Sequence, residues 1–401
     1  MMTDTAAAAR GKNRLWLVLV LGLLASFGPL SLDMYLPALP VIAGDLETTT
    51  SLAQMSLTAC MLGLSLGQLV AGAISDVRGR RIPLLIGLAV YGVSSALCIW
   101  APTIGAFLLL RFIQGMAGAA GIVISRAIVR DLYEGVALTK FIALLMLVNG
   151  AAPILAPIIG GQLLEFGDWR DMFGVLSLFG VAMLMAVVLG LKETHPPERR
   201  TQSGLGHTLR VFRRLLTHRL FMGYALTQGL VFAAMFAYIS GSPFVLQELF
   251  GLSPQQFSLV FAVNGVGIIL SGQLTGRLAG RVSSVRLLGG GLAIAACGGA
   301  LLLAAVLFGG GLTLILPAFF LIVSSVGPVS ISTSSLALQE QGEVAGSAAA
   351  LLGLMTFVIG GLVAPLVGLG GSGTAVPLGV IIAVLELGAM VCFVALARGK
   401  R

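Results

Sequence analysis

The chain has 401 residues, of which 57% are hydrophobic and 10% charged, with a net charge of +8. Soluble domains carry about 25% charged residues and are rarely more than half apolar. A soluble enzyme, a disordered chain and a disulfide-stapled secreted domain are therefore excluded, and an integral membrane protein remains. One helical crossing takes about 20 apolar residues, which leaves room for roughly a dozen spans.

Arg10, Lys12 and Arg14 precede an apolar run that begins at Leu15. The run is longer than a signal-peptide core and no small-x-small cleavage site closes it. It is expected to be an uncleaved first span with a cytoplasmic N-terminus. Further apolar segments follow at 52–74, 83–101, 104–127, 139–163, 170–191, 219–246, 255–278, 285–308, 311–338, 343–369 and 374–397; with 15–42 they make twelve. Continuous runs of this length fit helices and exclude a membrane β-barrel, whose strands alternate over about ten residues.

The loops alternate in charge. One set holds Arg78, Arg80, Arg81, Arg130, Lys140 and Arg281; the other holds Asp45, Glu47, Glu165, Asp168, Asp171 and Glu248, with Arg170 the exception. Basic loops stay in the cytoplasm, so both termini are expected there. The same rule accounts for the positive charge without nucleic acid as a partner. Residues 192–218 form the one long polar stretch and divide the chain into expected bundles 1–191 and 219–401. Leu205, Leu209, Phe212 and Leu216, with basic residues between them, suit an amphipathic helix on the inner leaflet. A plain tethering linker and a regulatory segment are both open for it.

Gly67-Gln68-Leu69 reappears as Gly272-Gln273-Leu274, Pro37 as Pro243, Arg81 as Arg286 and Ala156-Pro157 as Ala364-Pro365. A nearly constant offset between equivalent spans indicates a duplicated six-helix unit. Both copies start on the same side, so the expected architecture is all-α, with two six-helix bundles related by a pseudo-two-fold along the membrane normal.

Asp33 lies in the outer half of the first span, about 13 Å deep, and Arg111 in the fourth at about 12 Å. Charges at such depth are costly and point to function. A carboxylate there is neutralised by a cation or by a proton. Asp33 and Arg111 are thus candidates for proton coupling acting as one pair; a permanent ion pair that only fixes packing is the alternative. Glu386, midway along the last span, is a third candidate. Tyr35, Gln114, Asn149, Tyr238, Phe236 and Asn264 are candidates for lining a substrate cavity, with packing as the other reading. Gly72 through Arg81, with Asp76 and Gly79-Arg80-Arg81, places a carboxylate beside a cationic turn; with Arg130 it forms a candidate conformational latch, or else a solvated loop. Pro153, Pro157, Gly160 and Gly161 bend the fifth span and permit close approach of a neighbour.

The Asp76 loop and Arg111-Phe112-Ile113-Gln114-Gly115 resemble the inner-loop and fourth-helix signatures of the major facilitator superfamily. The Pro153–Gly161 stretch resembles the fifth-helix motif of its drug:proton antiporters. Asp33-Met34-Tyr35-Leu36-Pro37-Ala38-Leu39-Pro40, Ser125 to Asp131 and Ala345 to Gly353 are similar to the Bcr/CflA drug-resistance subfamily. That resemblance implies a 12-span antiporter of the bacterial inner membrane. It would export small drug-like antibiotics against protons, working as a monomer without a cofactor. Some related exporters carry a second acid before the first-helix Asp; residues 24–28 hold none, which argues against dications. An uptake symporter of the same fold is the alternative. An enzyme is disfavoured, because the three His sit in one polar segment, the four Cys stand apart, and no metal-ligand or catalytic spacing appears.

Overall fold

In a computed structural model the chain is described over residues 16–200, 205–339, 341 and 344–397, and these are helical almost throughout. Arg10, Lys12 and Arg14 lie outside the described residues. Ten helices are long and apolar enough to cross a bilayer. They are span 2 (Thr50–Arg78), span 3 (Arg81–Ile99), span 4 (Ile104–Leu132), span 6 (Trp169–Gly190), span 7 (Arg219–Leu249), span 8 (Pro254–Leu278), span 9 (Ser284–Leu307), span 10 (Gly311–Gln339), span 11 (Gly346–Gly370) and span 12 (Val376–Leu396). Span 1 is the bent pair Trp16–Ala25 and Phe27–Asp45, with 45° between its halves. Span 5 is Gly135–Phe166, a 32-residue helix that runs through both Pro153 and Pro157.

The helix ends follow from local chemistry. Thr49 and Thr103 cap spans 2 and 4 by accepting the amides of Leu52 and Ala106. Ser253 with Gln256, and Asp168 with Asp171, form reciprocal capping boxes at spans 8 and 6. Span 2 stops at Gly79, whose φ of +92° a side chain would strain. Arg170, the cation among acidic loops, is neutralised by Asp45 at 2.7 Å and Asp168 at 3.0 Å.

Small residues set the packing. Gly63 and Gly67 lie against the backbone of Phe112 and Met116, and Gly115 against that of Cys60, so spans 2 and 4 touch backbone to backbone. Between the two sets of six, span 2 packs on span 11 and span 8 on span 5. Exchanging the sets maps one contact onto the other, as a two-fold axis requires.

Among the described residues, six hydrogen bonds join the two sets. Ser51 Oγ donates to Pro365 O (2.7 Å), Gln54 Nε2 to Ser240 O (3.0 Å) and Thr58 Oγ1 to Gly361 O (2.6 Å). Gln247 Nε2 donates to Pro37 O (3.1 Å), Gln255 Nε2 to Gly161 O (3.0 Å) and Ser258 Oγ to Pro157 O (2.7 Å). All six lie in the half of the molecule away from the Arg78–Arg81 loop. No described hydrogen bond joins the sets near that loop, here termed the basic face. The molecule is closed on the opposite face.

The linker helix is Leu205–Thr217. Part of its apolar face is buried in the protein: Val211, Phe212 and Leu215 join Phe221, Tyr224, Ala348 and Leu351 below spans 7 and 11. Leu216 is 48% exposed, and the side chains of Leu205 and Leu209 lie outside those described.

Candidate functional site

The site begins with the break in span 1. Pro37 has no N–H, so the Asp33 carbonyl loses its donor and the helix tightens into a short turn, Leu36–Ala38. Just before the break, the Ser31 carbonyl accepts from Arg111 Nη2 at 2.7 Å. Arg111 is fully buried and also donates from Nη1 to Gln114 Oε1. Its guanidinium lies 4.3 Å from the Tyr35 ring centre and 5.5 Å from that of Phe173. Gln114 Nε2 donates to Ser95 Oγ at 2.7 Å, and the Tyr35 hydroxyl meets Ser56 Oγ at 2.8 Å. Arg111, Gln114 and Tyr35 are therefore one satisfied cluster that fixes the bend, apart from an unpartnered Arg111 Nε.

The expected Asp33–Arg111 ion pair is not formed. The two residues share a depth, but Arg111 points at the carbonyl side of the break. Asp33 is 6% exposed and takes part in none of the described hydrogen bonds or ion pairs. Instead it lies within Coulombic reach of Cys60 on span 2 and Tyr238 on span 7. The Tyr238 hydroxyl accepts from Asn264 Nδ2 at 2.8 Å, and its ring meets Phe261 and Phe319 at 5.8 and 4.9 Å. Phe236 packs on Phe357 at 5.8 Å and against Gly360. Asn149 is on span 5, with its side chain outside those described.

The fifth-helix residues sit at the closed face. A Cβ at Gly160 would overlap the Met34 carbonyl, next to Asp33. One at Gly161 would lie 2.7 Å from Ser258 Oγ. The Pro157 and Gly161 carbonyls are acceptors of the closure itself. Glu386 is fully buried on span 12 against Gly299 of span 9, and neither carboxyl oxygen has a hydrogen-bond partner.

At the basic face Arg80 donates to Asp76 Oδ1, to Ser75 Oγ (2.9 Å) and to Asp131 Oδ2 (2.9 Å). Glu193, just past span 6, accepts four backbone amides: Arg80 (2.8 Å), Arg81 (3.0 Å), Thr194 (3.1 Å) and His195 (3.0 Å). Burial pushes its carboxyl up, but those amides outweigh it and hold it below the ordinary carboxylate range. Arg81 reaches the Val188 carbonyl at 2.9 Å. Arg130 does not belong to this cluster: it is exposed and in none of the described ion pairs. Asp131, its neighbour, takes the place expected of it, because one step along a helix turns a side chain by about 100°. Every member lies in the first six spans or just after them, so in this conformation the cluster ties the linker to its own bundle.

Asp131, Glu193, Ser31 and the closing hydroxyls were not singled out by sequence. Asp131 and Glu193 are acids among basic loops, a signal that was available; Ser31 acts through its backbone and carried none.

The sequence profile of the Major Facilitator Superfamily matches residues 17–365. The chain is 43% identical, over 97% of both chains, to "Uncharacterized MFS-type transporter YdgK" of Bacillus subtilis (strain 168). It is 32% identical, over 92% of both, to "Bicyclomycin resistance protein homolog" of Haemophilus influenzae. In fold it is similar, at a TM-score of 0.74 and 16% identity, to an inward-facing, unoccupied bacterial homologue of the human lysosomal transporter Spinster, covering 96% of this chain and 95% of that one. Twelve spans in two equivalent sets, a bent first span and these two full-length relatives agree: the chain belongs to the major facilitator superfamily, in its Bcr/CflA drug-resistance branch, and is a membrane transporter.

Proposed function

We propose that this transporter is a drug:proton antiporter of a bacterial inner membrane, working as a monomer and exporting small drug-like compounds by alternating access. The observation that carries the reading is Asp33, a buried carboxylate without a hydrogen-bond or ion-pair partner among the described residues, set between the two sets of spans. An unpaired charge in that position is expensive, so a proton neutralises it. With the basic face in the cytoplasm, closure of the opposite face makes the conformation inward-open. A compound entering from the cytoplasm meets Asp33 near Tyr238, Asn264 and Phe236, and its arrival displaces the proton. Arg111 holds the bend that presents Asp33; Tyr35 and Gln114 support Arg111. Glu386 is a secondary proton site. The Asp76–Arg80–Asp131 cluster and Arg81 latch the cytoplasmic ends when the halves rock, and the Pro153–Gly161 stretch closes the outer ends. The relative named for bicyclomycin resistance supports compounds of that kind as cargo.

Everted membrane vesicles acidified by respiration test this. Bicyclomycin, a phenicol or a sulfonamide added outside exchanges for lumenal protons, so the fluorescence of an acid-quenched dye recovers. Recovery is expected with at least one of the three and is lost in Asp33→Asn. Compound and proton moving in the same direction would instead mark an uptake symporter.

A further inference from the structure

Arg126 is exposed although it stands six residues inside the end of span 4, about 9 Å from it. Its direction follows from its helix neighbours. Ile122, one turn earlier, packs on Gly28 of span 1; Gly115, three turns earlier, packs on Cys60 of span 2. Arg126 therefore looks between spans 1 and 2. Span 2 borders span 11, and the broken part of span 1 borders spans 7 and 8. That direction leads into the space between the two sets, which no described hydrogen bond closes on this side. Arg130 follows one turn later, also exposed and within Coulombic reach of Arg126.

Neither arginine has a described hydrogen bond or ion pair. The acids nearby are engaged: Asp76 and Asp131 are both held by Arg80. Glu134 is exposed at the start of span 5, beyond the end of span 4. Two like charges one turn apart, with no counter-ion among the described residues, form a poor resting arrangement and a prepared anion site.

We infer that Arg126 and Arg130 receive an anionic group at the mouth of the translocation cavity, so that the favoured cargo is an aromatic compound bearing a carboxylate, phenolate or sulfonate. This rests on the proposed reading of that cavity as the substrate path. Arg126 lies fifteen residues along span 4 from Arg111, about 22 Å, and so far from the depth of Asp33. An anion docked there leaves the charge of Asp33 alone. The arginines raise capture at the entrance and leave the coupled step unchanged.

The test is equilibrium binding, which requires neither proton coupling nor a direction of transport, so its outcome is separate from that of the antiport experiment. Fluorescein and rhodamine 123 share a xanthene body and differ in charge. Fluorescence anisotropy with purified protein in phosphatidylcholine nanodiscs is expected to show fluorescein binding at least tenfold tighter, weakening with added salt. Arg126→Gln should remove that preference, and Arg126→Lys should keep most of it, because a point charge suffices for capture. Equal affinity for the two dyes, or an unchanged preference in Arg126→Gln, overturns the inference. So does loss of fluorescein binding when phosphatidylglycerol replaces phosphatidylcholine, since the arginines would then be a lipid headgroup site.

Discussion

The Arg111 guanidinium donates to the Ser31 backbone carbonyl at 2.7 Å, two residues before Asp33. A buried cation on span 4 is thereby spent on the backbone of span 1. It stabilises the interruption of span 1 at Pro37, and it leaves the nearby carboxylate of Asp33 without a described ion pair. The two charges at one depth are thus separate: Arg111 positions the bend, and Asp33 is left for the proton in the proposed mechanism.

Their separation predicts additivity. Arg111→Ala removes two hydrogen bonds and two aromatic contacts and should cost about 3 kcal/mol, while Asp33→Asn should cost less than about 1 kcal/mol. The double variant should equal the sum within about 0.5 kcal/mol. Thermal or denaturant unfolding of the purified protein measures this; a coupling above that margin would mean that the two side chains interact after all.

Glu193 predicts a pH dependence. Its folded-state affinity for protons is lowered, so its contribution is fully present above the ordinary carboxylate value of about 4.3 and is lost as pH falls below it. Protection of the Arg81, Thr194 and His195 amides against exchange, relative to their intrinsic rates, should hold at pH 7 and pH 5 and fall once the pH drops below the ordinary carboxylate range. In Glu193→Gln those amides should lack that protection at every pH. Slow exchange in that variant would show that the clasp is held elsewhere.

Gly160→Ala should open the closed face, because the added methyl group overlaps the Met34 carbonyl and forces spans 1 and 5 apart. Labelling of a cysteine placed at Gln247 should rise severalfold, while one placed at Arg130 should label less. Unchanged labelling at both positions would mean that the contact does not govern closure.

Glu386 has two orphaned oxygens in an apolar contact with span 9. Glu386→Met should raise stability by about 1–3 kcal/mol, since an unsatisfied buried polar group is removed at similar volume. Glu386→Gln should lower drug-evoked proton exchange less than Asp33→Asn does. A destabilised Glu386→Met protein would mean that the carboxyl has a bonding partner.

Much of this was legible in the sequence, for identifiable reasons. Span length, loop charge and the echo of Gly67-Gln68-Leu69 in Gly272-Gln273-Leu274 depend on composition and spacing, which a sequence carries directly. The depths of Asp33 and Arg111 were also readable, since rise per residue is fixed. Their bonding was not, because depth says nothing of which way a side chain turns once a proline has broken the helix. The same gap put Arg130 in the latch in place of Asp131. Glu193 was hidden because its partners are backbone amides, which every residue but proline possesses. The linker helix showed an apolar face but not what covers it, and protein and lipid are equivalent in that respect.

Proton release on substrate addition tests the central claim that Asp33 carries the coupling proton. Purified protein in unbuffered detergent with a pH dye, given a compound that elicits exchange in vesicles, should release about one proton per molecule, and Asp33→Asn should release none while still binding the compound. Release by Asp33→Asn equal to that of the unaltered protein would contradict the claim and move the coupling site elsewhere.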